Sequence, residues 1–190
     1  GLDLDLMKAY PTRKYYYYMT EGIYSESPQD KVIGDLVELN HLEKGGQVFL
    51  DMESTNNTNK RYVFAYVWNN GRTQTYLLDN NSQLGKTYHI TWQISPTSIV
   101  LRASFLTQIG DLGSLSPQTT LNAAVAFSDD LDRSSQQIYE YRYWFTIQKG
   151  NVIMPTDGSA WRNEAWPQGP WQKGGVTTVF KVKAVLAATP

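Results

Sequence analysis

The chain has 190 residues, 17 Lys+Arg against 18 Asp+Glu for a formal charge of -1, no cysteine, and 13% aromatic residues. Without cysteine there is no disulfide framework, thiolate metal site or cysteine nucleophile, and the redox compartment is left open. The balanced charge speaks against a counterion-releasing nucleic-acid binder, so no nucleic-acid partner is expected. The length fits one domain over residues 1–190.

In chain order, residues 1–14 lack the apolar run of a signal peptide, and no 18 apolar residues run together anywhere, so no transmembrane segment is expected. The leading Gly without Met fits a trimmed form. Period-two alternation then predicts strands over residues 15–20, 32–39 and 47–53, with a turn between them around His41. Asn56-Asn57-Thr58 and Asn80-Asn81-Ser82 match the N-glycosylation pattern, which an Asn-rich chain produces by chance.

Asn70-Gly71 predicts a two-residue hairpin turn between strands 61–68 and 72–79. In the first of these Tyr62, Phe64, Tyr66 and Trp68 share one face and Val63, Ala65 and Val67 the other. Such a strand either sits centrally between packed layers or offers an aromatic face to a ligand. Ser95-Pro96-Thr97-Ser98 predicts a second hairpin, with Ile94 opposite Ile99, Trp92 opposite Leu101, Ile90 opposite Ala103 and Tyr88 opposite Phe105. That register also puts His89 opposite Ser104. Residues 110–120 read as a loop suited to an insertion. Further strands are predicted at 121–127, 138–148 and 176–186, and no window of twelve or more residues has helical spacing. About ten strands without helices imply an all-β fold, a two-layer antiparallel β-sandwich of jelly-roll or concanavalin-like type, with a closed β-barrel as the alternative.

Residues 159–175 are the most informative stretch for function. Trp161, Trp166 and Trp171 recur at intervals of five, with Arg162, Asn163 and Glu164 between the first two. The surrounding Gly and Pro argue for one long surface loop. Indole faces stack on sugar rings while Arg, Asn and Glu bind their hydroxyls, so the pattern points to a glycan or another small ligand. The alternative is that the rings fold inward and anchor the loop. On strand 138–148, Glu140, Arg142 and Trp144 lie opposite the Tyr139, Tyr141, Tyr143 and Phe145 face and form a second polar and aromatic group.

Asp51 and Glu53 fall on one strand face. The spacing resembles the Glu-x-Asp-x-Glu strand of the concanavalin-like glycoside hydrolases, but Phe49 stands where that motif has its nucleophilic Glu, so hydrolysis there is not expected. Two isolated His residues and no Cys make neither a triad nor a transition-metal site. Asp129, Asp130 and Asp132 offer hard oxygens for calcium without the Gly and terminal Glu of a helix-loop-helix site, and read as a solvated turn.

These features predict a noncatalytic carbohydrate-binding domain, lectin-like, without cofactor, metal or catalytic residues, in a secreted or cell-surface setting, with a cytoplasmic one left open. Two other readings stand beside it: an enzyme acting on a polysaccharide or small molecule with carboxylates such as Asp51, Glu53, Glu140 or Glu164, and a membrane-active or assembly protein, for which a homo-oligomer is open.

Overall fold

The computed structural model describes residues 4–21, 33–38, 42–56, 58–69, 72–131, 138–155, 161–166 and 178–185. A short helix α1 (Leu4–Ala9) precedes fourteen strands: β1 (Tyr16–Glu21), β2 (Ile33–Glu38), β3 (Leu42–Gly45), β4 (Gln47–Thr55), β5 (Tyr62–Asn69), β6 (Arg72–Asp79), β7 (Thr87–Ile94), β8 (Ile99–Arg102), β9 (Thr107–Ile109), β10 (Gln118–Ser128), β11 (Ile138–Gln148), β12 (Asn151–Pro155), β13 (Trp161–Trp166) and β14 (Thr178–Val185). The main sheet runs β3-β12-β11-β10-β5-β6-β9, with β13 also paired to β11, and the second runs β14-β4-β7-β8. β1 and β2 form a separate ladder. Every ladder is antiparallel and the two sheets stay open, so the fold is an all-β sandwich and not a closed barrel.

Alternation builds the core. Val48, Leu50 and Met52 of β4 and Ile90, Trp92 and Ile94 of β7 point inward from the second sheet. They meet Val63, Ala65 and Val67 of β5, Leu121, Ala123, Val125 and Phe127 of β10, and Tyr143, Phe145 and Ile147 of β11. The rings of Tyr76 and Trp92, one from each sheet, lie 6.0 Å apart. The outer face of the second sheet is polar and wet: Asp51, Glu53, His89 and Arg102 are exposed. The main sheet differs, because Phe64, Tyr66, Leu77, Ala124 and Ala126 form a second buried cluster on its other side. β5 therefore sits between packed layers, the first of the two arrangements its double apolar pattern allows.

Three expectations need correction. The 95–98 hairpin pairs Ile94 with Ile99 and Trp92 with Leu101 as expected, but its ladder ends at Thr91 and Arg102, so the Ile90–Ala103 and Tyr88–Phe105 pairs do not form. The chain crosses instead to the main sheet, where β9 pairs with β6 and the Phe105 ring lies 5.0 Å from that of Tyr76. Residues 110–117 form the expected loop between β9 and β10, anchored by the buried Leu112 and by Gly110, where a Cβ would lie 2.6 Å from the Thr73 carbonyl oxygen. The segment around His41 contains β3, a four-residue strand too short for a periodicity signal. Finally, α1 stands in a fold expected to lack helices; with six residues it is too short to show helical spacing. The turn residues Asn70 and Gly71 lie outside the described residues, but Asn69 pairs with Arg72 as a two-residue turn requires.

One end of the sandwich is closed by polar groups. Between Val63 and Phe64 the β5–β6 register shifts, so that Asp79, not Leu78, opposes core-facing Val63. The Asp79 carboxylate then accepts from the Tyr88 hydroxyl of the other sheet (2.6 Å), from Lys86 Nζ (2.6 Å) and from the Asn81 backbone N–H (2.9 Å). Burial raises its pKa, but these three donors outweigh burial and hold it below the usual carboxylate range. Burial first, then the adjacent carboxylate, pushes Tyr88 well above an ordinary tyrosine. Beside them Asn56 is fully buried. It donates to the Lys60 carbonyl (2.8 Å) and Ser82 Oγ (2.7 Å) and accepts from the Thr58 N–H (3.0 Å) and hydroxyl (2.7 Å). This cluster ties the 56–61 connection to the 80–86 connection and so joins the sheets.

Candidate functional site

The 159–175 stretch is not one loop. Residues 161–166 form β13, which pairs with β11 along Ile138↔Trp166, Tyr139↔Ala165, Glu140↔Glu164, Tyr141↔Asn163, Arg142↔Arg162 and Tyr143↔Trp161. The two candidate groups of the sequence are thus neighbouring strands. Residues 161–166 show no apolar and polar alternation, so nothing in their pattern marked a strand beside the Gly and Pro that follow.

The spacing of five between Trp161 and Trp166 is odd, so a strand puts them on opposite faces. Trp161 and Asn163 fall at register positions on the side of Tyr143, a core residue. Arg162, Glu164 and Trp166 fall on the other side with Glu140 and Arg142. Trp144, one position beyond the β13 ladder, shares that second face by alternation and lies opposite Asn122 of β10. Trp171 lies outside the described residues, as do the side chains of the other candidates.

The register has an electrostatic consequence. Directly opposed positions on antiparallel strands bring Cβ atoms to about 5 Å, closer than diagonal ones, and like charges there repel. Here the register sets Glu140 opposite Glu164 and Arg142 opposite Arg162. A partner that both donates and accepts hydrogen bonds can bridge carboxylate to carboxylate and guanidinium to guanidinium.

The remaining candidates have ordinary structural surroundings. Asp51 accepts from the Thr91 hydroxyl (2.6 Å) on the wet outer face of the second sheet, and Glu53 lies 3.3 Å from His89 Nδ1. His89 therefore faces Glu53, not Ser104, because the β7–β8 ladder stops before reaching it. Asp129 is ion-paired with the Lys60 ammonium, a cation where calcium would need an anion, and the Asp130 backbone N–H donates to Ser128 Oγ. Asp132 lies outside the described residues. No group of three or more His, Asp or Glu side chains among the described residues could hold a metal ion. Of the two glycosylation patterns, the one at Asn56 is closed by the burial and four hydrogen bonds of its amide, while Asn80 is exposed.

No helix among the described residues is long and apolar enough to cross a membrane. No protein-family model matches the chain, and no curated protein or solved structure matches it either.

Proposed function

We propose that the chain is a noncatalytic binding domain whose ligand is a glycan, held on the face shared by β11 and β13 and acting in a secreted or cell-surface setting. The observation that carries the reading is the register that opposes Glu140 to Glu164 and Arg142 to Arg162. Sugar hydroxyls donate to carboxylates and accept from guanidinium groups, so a polyhydroxylated ligand relieves both like-charge pairs at once. Trp166, on the same face, supplies a flat apolar surface for the less polar side of a sugar ring.

Titration with a panel of neutral oligosaccharides, followed by tryptophan fluorescence, tests this. The expected result is a saturable change with one member of the panel and no product released. Trp166→Ala and Arg162→Ala should each weaken binding at least about tenfold, the equivalent of ~1.4 kcal/mol, with an unchanged far-UV circular dichroism spectrum. Unchanged affinity in both variants would refute the assignment.

The same pair of carboxylates favours a second reading. Glu140 and Glu164, opposed on neighbouring strands, would be the acid and the nucleophile of a retaining glycosidase. Release of reducing ends by the wild type, abolished in both Glu140→Gln and Glu164→Gln, would replace the binding reading with this one.

A further inference from the structure

The aromatic row of β5 ends in an open ring. On its outer face Phe64 and Tyr66 are buried, but Trp68, the next in line, is 40% exposed. The register puts Asn122 of β10 opposite Trp68. Two and four residues before Asn122, on the same face, stand Thr120 and Gln118, opposite Thr146 and Gln148 of β11. Strands lie about 4.8 Å apart and two residues of strand rise about 6.8 Å, so these three rungs cover roughly 14 Å along the sheet.

Burial across the patch is graded. Trp68 and Gln118 are exposed, Thr120 and Asn122 are half-buried, and Thr146 and Gln148 are buried, so shelter increases from β5 to β11. The Thr120 and Thr146 hydroxyls bond to each other at 3.1 Å. Gln148 Oε1 is enclosed and finds no donor among the described residues. A buried acceptor without a donor is costly, and a bound hydroxyl supplies one. All six side chains are uncharged. They offer amides and hydroxyls that both donate and accept, beside one open indole, and none of the six pairs an anion. That set matches a neutral sugar chain, whose hydroxyls bond to the amides and the Thr pair while the apolar side of one ring stacks on Trp68. The patch also continues the face assigned above. Asn122 opposes Trp144 as well as Trp68, and Arg142 and Glu140 follow Trp144 on that side of β11.

We infer that Trp68, Asn122 and Thr120, with Gln118, Thr146 and Gln148, form an uncharged extension subsite for the next units of a glycan chain seated on the β11–β13 face. The inference rests on the glycan reading of that face. It narrows the ligand to a neutral chain longer than one that fills β11 and β13 alone.

Isothermal titration of each oligosaccharide of the neutral panel, beside a longer chain of the same repeating unit, tests the subsite. For one sugar the longer chain should bind the wild type at least about tenfold more tightly than the short one. Trp68→Ala and Asn122→Ala should each bring the affinity for the longer chain down to that of the short one. Amide shifts induced by the longer chain should add residues 68, 118–122 and 146–148 to those the short one moves. Equal affinities for short and long chains in the wild type, or variants that keep the gain, would overturn the subsite and leave the β11–β13 reading in place. Long-chain shifts at 68 and 118–122 with none at 161–166 would support the subsite and remove the β11–β13 reading. No binding by any chain of either length would overturn both. Far-UV circular dichroism confirms that each variant remains folded.

Discussion

Replacing Asn56 by alanine removes the centre of the polar cluster that joins the two sheets. The fully buried amide makes four hydrogen bonds, two donated and two accepted. Each is worth about 1 kcal/mol net, and more where truncation leaves a buried partner unsatisfied. The Lys60 carbonyl would lose a donor, whereas Ser82 Oγ keeps its contact with the Tyr88 hydroxyl at 2.6 Å. The two bonds from Thr58 are half-buried, and water replaces part of them. The sum is a loss of about 3 kcal/mol. For a domain of this size that lowers Tm by roughly 6–12 °C. Urea unfolding followed by tryptophan fluorescence measures the loss as a lower midpoint at unchanged slope. Asn80→Ala, at the exposed second glycosylation pattern, is the control and should stay within about 0.5 kcal/mol. A loss under about 1 kcal/mol for Asn56→Ala would mean that the cluster does not join the sheets.

Further outcomes follow from the same geometry. Because Asp79 is held below its ordinary value of 3.8, its contribution to stability is present above that pH and lost as pH falls through the folded value. Wild type should therefore lose stability below about pH 4 more steeply than Asp79→Asn, and their Tm profiles should converge in acid. Tyr88, raised by burial and by Asp79, contributes below the ordinary tyrosine value of 10.0 and loses that contribution above it, so Tyr88→Phe should flatten the alkaline limb of the Tm profile. Leu101 is buried and Val100 is 47% exposed on the same short strand. Leu101→Lys should abolish folding and Val100→Lys should be tolerated within about 0.5 kcal/mol, while a one-residue register error would reverse the pair. Gly110 has a φ of 80° and no room for a Cβ, so Gly110→Ala should cost more than about 1 kcal/mol, measured by the same urea midpoint.

The long strands were legible because one face of each meets the core. β4 and β7 bury every second residue, β10 buries a continuous run from Ala123, and β11 begins and ends where its tyrosine alternation does. What alternation cannot carry is length below about five residues, and β3 and β9 fall there. Nor does it say which sheet a strand joins. Residues 103–106 continue the pattern of β8, yet the chain leaves the second sheet because Phe105 packs on Tyr76 across the sandwich. The same limit governs the candidate site. Arg162, Glu164 and Trp166 were identifiable by chemistry, but their pairing with Glu140 and Arg142 is a long-range ladder that the intervening residues do not encode locally. The Gly and Pro after Trp166 led to a loop being expected over residues 161–166 as well, where β13 lies.

The central claim is that the β11–β13 face holds a glycan. Amide chemical-shift mapping with the best oligosaccharide from the panel tests it most directly, because backbone signals report the face without altering it. Saturable shifts confined to residues 138–144 and 161–166 are the predicted result. Shifts centred on the wet face of the second sheet, around Asp51 and His89, or no shifts with any oligosaccharide, would contradict it.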